Sequence, residues 1–429
     1  MNNDQQNEPD TGLTITRRTA LQAAGGLVAA GMLGAAARVP AEAAGSTTLT
    51  FWVISSFTKN PQAGIFKAAA LYEKQNPGIT INIQSFDPNS FLNKLIIAVK
   101  GGQGPDVASV DSAWVAELGA GGIASDITNQ FAAVKNQFLP GPIDTGIYNG
   151  KQYAVPWYTN NVALFWNKKM FHAAGLSAAP KNWQELVSFG KKLTTGGKYG
   201  LMQGGSGFGS YLWLPFAWQN GASLITGKQA TFGSPQGLAA WQFYADLFLT
   251  NKIVPPSMLG VTASWDQYYT PFVQEQVAMM TVGDWAIGAV QAGNPNLQFG
   301  IAPLPRGKQG ATVIGGYDLA IPSTSKNAAA AWNFIRWLTS SGQNWMLESY
   351  SRTPARKDVL GTPYASKDPM IEVFIKQGAV GHAQPNVPQW DNIINTILAD
   401  AWESVITQKS SSAKALQQAV TQANSALKS

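Results

Sequence analysis

The sequence predicts an α/β protein of two lobes joined by crossing strands, and three observations carry that expectation. Strand-like and helix-like runs alternate from Leu49 onward, which implies a largely parallel sheet. At 429 residues the chain exceeds the size at which one hydrophobic core stops growing. The stretch Gly150 to Lys169, GKQYAVPWYTNNVALFWNKK, holds two apolar runs separated by Trp157, Tyr158, Thr159, Asn160 and Asn161. That pattern suits a backbone leaving one lobe and entering another, although a hairpin with a wet turn would read alike. Clefts between lobes are favoured places for small-molecule sites.

Taken in order, residues 1–43 read as an export signal outside the fold. Paired arginines, Arg17 and Arg18, precede a weakly apolar run from Ala23 to Ala37, and Ala41-Glu42-Ala43 offers a small-x-small cleavage pattern. The paired arginines mark the twin-arginine type, so the mature protein is expected to be soluble and periplasmic. Leu49 to Ile54 then reads as a strand followed by a polar loop with Ser55 and Ser56. A helix from Asn60 to Gln75, a strand from Thr80 to Gln84, a helix from Pro88 to Lys100 and a short strand ending at Asp111-Ser112 follow. In such sheets ligands meet the loops at the carboxyl ends of strands. Beyond the crossing, helices are expected at Asn182 to Leu193, Ser210 to Ala222, Pro235 to Thr250 and Ser264 to Gln274. The strand Val277 to Val282 ends in Gly283-Asp284-Trp285. Gly315-Gly316-Tyr317-Asp318 is a second candidate crossing, and Ser351 to Arg356 a third. Helices at Asn327 to Ser340, Gly342 to Tyr350, Pro369 to Gln377, Trp390 to Thr407 and Ser412 to Leu427 complete the chain.

Composition narrows the chemistry. Zero cysteines exclude disulfides and thiol catalysis, and two histidines make a histidine metal site unsupported. No basic run accompanies the net charge of +6, so nucleic acid is not an expected partner. The GGSGFG run at 204–209 lacks the spacing and lysine of a phosphate loop and reads as a flexible turn. No cofactor is implied. Aromatics reach 11%, with 15 Trp, which invites a search for stacking surfaces.

A sugar presents hydroxyls that need directional partners and C–H faces that lie on aromatic rings, so its site mixes rings with short polar groups. The candidate rings are Trp157, Tyr211, Trp285, Tyr317 and Trp390; the candidate edge groups are Ser55, Ser56, Asp111, Ser112, Asn160 and Arg356, with Gly316 letting a ligand approach the backbone. Each ring has core packing as its alternative, and Asp111 has helix capping. Trp213, Trp218 and Trp241 read as core. Asp111, Asp284 and Asp318 could form a glycosidase pair, but nothing in their spacing requires it, and no catalytic residue is assigned.

Several stretches together resemble one family: LTFWVISS, LYEKQNPGITINI, GPDVASVDSAWVAEL, GKQYAVPWYTNNVALFWNKKMFHAAGL, VAMMTVGDWAIG, FGIAPLPRG and GGYDLAIPSTSKNAAAAWNFIRWL. In this order they resemble extracellular solute-binding proteins of ABC sugar importers, the maltose-binding-protein-like group, over essentially the whole mature chain. The resemblance implies a two-lobed periplasmic-binding-protein-like fold of type II. The lobes are then expected at 44–159 with 318–350, and 160–317 with 351–429. It also implies a monomer that binds a carbohydrate, hands it to a membrane permease and has no enzymatic activity. Asp111, Trp285 and, more loosely, Tyr211 and Trp390 fall at ligand-contacting places of that family. Tyr317 resembles the contacting tyrosine of related sugar binders. Asn160 stands where maltose binders carry a carboxylate, which puts maltose itself in doubt. A glycerol phosphodiester, a polyamine or a secreted carbohydrate-active enzyme are the alternatives.

Overall fold

The computed structural model describes residues 46–58, 64–205, 208–260, 265–344, 352–360 and 368–428. The export segment 1–43, most of the helix expected at Gly342 to Tyr350, and Ser206 and Gly207 of the glycine-rich run lie outside the described residues.

The first three strands, Thr47–Ile54, Ile79–Phe86 and Val107–Asp111, run parallel with Thr47–Ile54 in the middle. Helices return the chain between them, as the alternation predicts. The helix Gly64–Gln75 buries Ile65, Ala69 and Tyr72, and the helix Pro88–Lys100 buries Phe91, Leu95 and Val99. Asp87 caps the second helix by accepting the Asn89 N–H, and Pro88 takes the first turn, where its missing N–H costs nothing.

The sheet then crosses to the second lobe on two long strands. Ala154–Asn167, 14 residues, pairs antiparallel with Thr312–Ala320 through its first half and with Val277–Gly283 through its second. A third piece, Thr353–Pro354, joins Ala154–Asn167 at Thr159 and Tyr158. Two of the expected crossings are therefore paired strands, and the segment expected as the third meets them at the same place. The main strand order is Ile79–Phe86, Thr47–Ile54, Val107–Asp111, Thr312–Ala320, Ala154–Asn167, Val277–Gly283, Tyr199–Met202.

Two hydrophobic cores flank this junction. One gathers Phe51, Phe91, Val107, Trp157, Phe334 and Leu338; the other gathers Phe165, Trp213, Trp241, Tyr268, Trp390 and Trp402. Ala355 and Val359 pack into the first core, past residue 351, where the sequence placed the return to the second lobe. Two helices of the second lobe begin where short polar side chains cap them: Asn182 accepts the Glu185 N–H and Ser234 the Gly237 N–H. The expected helix Trp390 to Thr407 is interrupted by a π-helical turn at Ile393–Ile397.

Candidate functional site: a ringed floor between the lobes

The crossing strands set the floor. Gly315 lies opposite Asn160, Gly316 opposite Thr159, and Tyr317 opposite both Tyr158 and Asp111. The Tyr158 and Tyr317 rings stack at 5.8 Å and 27°. Gly316 takes φ 141°, and a Cβ there would lie 2.2 Å from the Tyr158 carbonyl oxygen, so only glycine lets the strands close at this point. Over Gly315, Asn160 Oδ1 and Tyr211 Oη come together: a Cβ on that glycine would meet them at 2.9 and 3.6 Å.

The first lobe supplies one wall. Asp111 ends its strand and accepts the Ala113 N–H at 2.9 Å, so it does cap the turn that follows while standing beside Tyr317. Trp114 lies parallel to Phe91 at 6.0 Å and meets Tyr317 edge-on at 6.5 Å. Its indole N–H donates to Asp391 Oδ1 of the second lobe at 3.0 Å. The second lobe supplies the other wall from the corner Gly283-Asp284-Trp285. Asp284 Oδ2 accepts the N–H and hydroxyl of Thr353 at 3.0 and 2.8 Å. Trp285 meets Trp265 edge-on at 5.2 Å, and Trp265 stacks on Phe208 at 3.9 Å. Arg352 sits over the Tyr158 ring, 5.5 Å from its centre.

Among the buried polar atoms of this region, Asn160 Oδ1, Asp284 Oδ1 and Trp285 Nε1 have no hydrogen-bond partner among the described residues. Orphaned buried groups of this kind cost about 1–3 kcal/mol each and call for a partner. The set offers two acceptors and one donor among aromatic rings.

Burial raises the acidic groups. It pushes Asp111 up to about 6, with Asp391 adding to the shift and the Ala113 N–H opposing it. It pushes Asp284 to about 6 against the pull of Arg352 and Thr353, and Asp318 to about 8 against the Thr145 hydroxyl. A carboxyl raised by folding holds its proton in the native state after the unfolded chain has lost it. Stability therefore falls as pH rises from about 4 to 6 for the first two, and on to about 8 for Asp318. Asp318 is 1% exposed and its partner, Thr145, can also donate to an amide oxygen. Asp318→Asn should accordingly raise the melting temperature at pH 8 and change it little at pH 4. Scanning calorimetry at both values tests this, and equal shifts at both would refute it.

The expected site residues divide. Asp111, Asn160, Tyr211, Trp285, Gly316 and Tyr317 gather at the floor and walls. Ser55 and Ser56 lie in a 3-10 turn, Ser55–Phe57, whose Phe57 ring meets Tyr317 at 5.8 Å. Ser112 lies at the seam between lobes, beside Thr145, Gln384 and Asn386, around a void of about 10 Å³.

Three expectations need correction. Trp157 is fully enclosed in the first core between Phe51 and Phe57, at 6.0 and 5.5 Å. Trp157 is the extra residue of a bulge, since Tyr317 pairs with Tyr158 and Asp318 with Pro156; its ring turns into the core beside Phe57 while Tyr158 is the ring that meets Tyr317. Trp390 is fully buried in the second core and donates to Gln384 Oε1 at 2.8 Å; its neighbour Asp391 is the residue that reaches the other lobe. Arg356 is 6% exposed, paired through two nitrogens with Asp358 and set over Phe138, away from the floor. Tyr158, Trp114, Asp284, Trp265 and Arg352 were not among the expected site residues. For Asp284 the signal was its place at a strand's carboxyl end beside Trp285.

Two α/β cores joined by two crossing strands, with a polar and aromatic floor between them, define a two-lobed binding protein. Residues 55–345 match the bacterial extracellular solute-binding protein family, and the chain belongs to it. A maltotriose-binding protein of Pyrococcus abyssi is 25% identical over 340 residues, 72% of this chain and 69% of its own length. An ABC transporter solute-binding protein of Thermotoga lettingae, solved with α-D-tagatose, superposes with a TM-score of 0.80 at 28% identity, covering 89% of this chain and all of the other. The GacH receptor of Streptomyces glaucescens, solved unliganded and with acarbose, gives 0.78 at 26% identity, with 89% and 98% covered. Among the described residues no helix is long and apolar enough to cross a membrane.

Proposed function

We propose that this chain is an extracytoplasmic carbohydrate-binding protein that captures a sugar between its lobes and delivers it to the permease of an ABC importer. The observation that carries the reading is the trio Asn160 Oδ1, Asp284 Oδ1 and Trp285 Nε1, orphaned among aromatic rings. A polyol satisfies both acceptors and the donor while its C–H faces lie against Tyr158, Tyr317, Tyr211 and Trp285. The tagatose-bound and acarbose-bound proteins of the same fold support a sugar over other solutes. The protein acts without catalysis, as a monomer. Residues 1–43 direct twin-arginine export to the periplasm and are then removed. The first lobe comprises 44–159 and 318–350 together with the return at 353–359, and the second comprises 160–317 and the remainder. The ligand closes the lobes to the extent that it binds the closed state better.

A melting-shift screen across mono-, di- and oligosaccharides, with spermidine and glycerophosphocholine beside them, tests the reading. A cognate sugar at about 100 times its dissociation constant should stabilise the protein by about 2.7 kcal/mol. Trp285→Ala should weaken that sugar about tenfold or more, roughly 1.4 kcal/mol, with the fold intact. A shift produced only by spermidine or glycerophosphocholine rejects the sugar assignment.

A further inference from the structure

A cavity of about 280 Å³ opens on the first lobe, away from the floor between the lobes. Its lining includes Val155, Trp332, Arg336, Trp337, Ser340 and Arg356. Two features set it apart from a surface dimple.

The first is its chemistry. Trp332 and Arg336 stand four residues apart on the helix Ala328–Leu338, hence on one face, with Trp337 next to them. The Trp337 ring is anchored: its N–H donates to Gln75 Oε1 at 2.8 Å and it packs on Tyr72 at 5.2 Å. Arg356, buried to 6% exposure, is held flat by Asp358 at 2.9 and 2.7 Å through Nε and Nη2, and that pairing does not use Nη1. Asp358 balances the charge of Arg356. Arg336 is exposed, and among the described residues no carboxylate pairs with it. The cavity thus combines two indoles with one exposed guanidinium and one fixed guanidinium. Guanidinium groups recognise carboxylates through parallel N–H bonds, and indole faces accept flat apolar bodies.

The second is its place. Val155 belongs to the first crossing strand, two residues before Trp157. Arg356 follows Thr353–Pro354 by two residues and bridges to Phe138. Ser340 precedes Gln343, whose side-chain amide donates to the Trp157 carbonyl. A molecule in this cavity touches chain close to two of the strands that meet at the junction between the lobes.

We propose that the cavity is a second ligand site, taking a small planar organic carboxylate, and that its occupant shifts the balance between open and closed lobes. A ligand that prefers one hinge angle changes the population of that angle, and by linkage changes affinity at the other site. The proposal stands apart from the sugar assignment, because both its readouts work without a sugar.

The test uses naphthalene-2-carboxylate as probe, with naphthalene-2-carboxamide as its neutral counterpart. Calorimetric titration of the mature protein should show the carboxylate binding at least about tenfold more tightly than the amide. Arg336→Ala and Trp332→Ala should each cost about tenfold or more. Solution scattering of the sugar-free protein should show the radius of gyration change on saturation with the carboxylate. Equal binding of the two probes, no binding, or unchanged binding in Arg336→Ala overturns the site. Saturation without change in the radius overturns the coupling. If the alanine variants lose structure by circular dichroism, Arg336→Gln, which keeps the stem and removes the charge, gives the same comparison.

Discussion

Replacing Gly316 by alanine is expected to destabilise the protein by about 2–6 kcal/mol, combining backbone strain and overpacking at about 1–3 kcal/mol each. The residue holds φ 141°, a region that side chains with a Cβ rarely adopt. The added methyl carbon would meet the Tyr158 carbonyl oxygen at 2.2 Å and the Thr159 Cα at 3.0 Å. Both are backbone atoms of the facing strand, so no side chain can swing aside. Relief requires parting the strands where the register already slips, between Tyr317 and Asp318. Gly315→Ala is the matched control. Its Cβ would press on Asn160 Oδ1 at 2.9 Å and approach Tyr211 Oη at 3.6 Å, the ends of side chains that can yield. That variant should keep most of its stability and change ligand affinity instead. Urea unfolding of both decides it: a loss under about 1 kcal/mol for Gly316→Ala would mean that the strands tolerate the separation.

Trp402→Ala should cost about 3–5 kcal/mol, the range for truncating a large buried aromatic. Trp402 is fully buried and packs against Trp241, Tyr244 and Phe248 at 5.4, 4.5 and 5.5 Å. Its indole N–H lies 3.3 and 3.2 Å from the carbonyl oxygens of Gly204 and Gly205. A Cβ on Gly209 would sit 1.8 Å from that nitrogen. The ring therefore holds down the glycine-rich segment from which the helix carrying Tyr211 starts. The loss falls on the second lobe, whose core is separate, so calorimetry of the variant should resolve two transitions with the second lobe melting first. Ligand affinity should fall as well, since Tyr211 loses its support. Trp402→Phe keeps part of the packing and removes the N–H with some of the ring, so it should cost more than the about 1 kcal/mol of that bond and less than the alanine variant. A single transition with unaltered midpoint in Trp402→Ala would show that the second core repacks around the gap.

Much of this was legible in the sequence, for physical reasons that differ from residue to residue. Parallel strands with returning helices follow from alternation alone, because Leu49 to Ser112 carries the periodicities of both elements. Asp111 and Trp285 stand at the carboxyl ends of strands, where a side chain leaves the sheet and reaches open space. Gly315-Gly316-Tyr317 declared itself because two glycines inside an apolar strand imply a close backbone approach. Trp157 misled because an isolated strand does not say which face is inward; that depends on its pairing with Thr312–Ala320. Trp390 misled for the same reason on a helix, where Ile393, Ile394 and Ile397 fix the buried side. Arg352 reaches Tyr158 only because Thr353–Pro354 pairs with Thr159 and Tyr158, a contact between residues nearly two hundred positions apart. The GGSGFG run looked like a slack turn. Its last glycine, Gly209, makes room for an indole supplied by Trp402, far along the chain.

The contact between Trp114 and Asp391 reaches beyond geometry. It spans the two lobes, and neither residue supplies one of the orphaned groups on the floor. Trp114 also meets Tyr317 edge-on and Asp391 helps to raise Asp111, so a change at either position reaches the floor as well as the clasp.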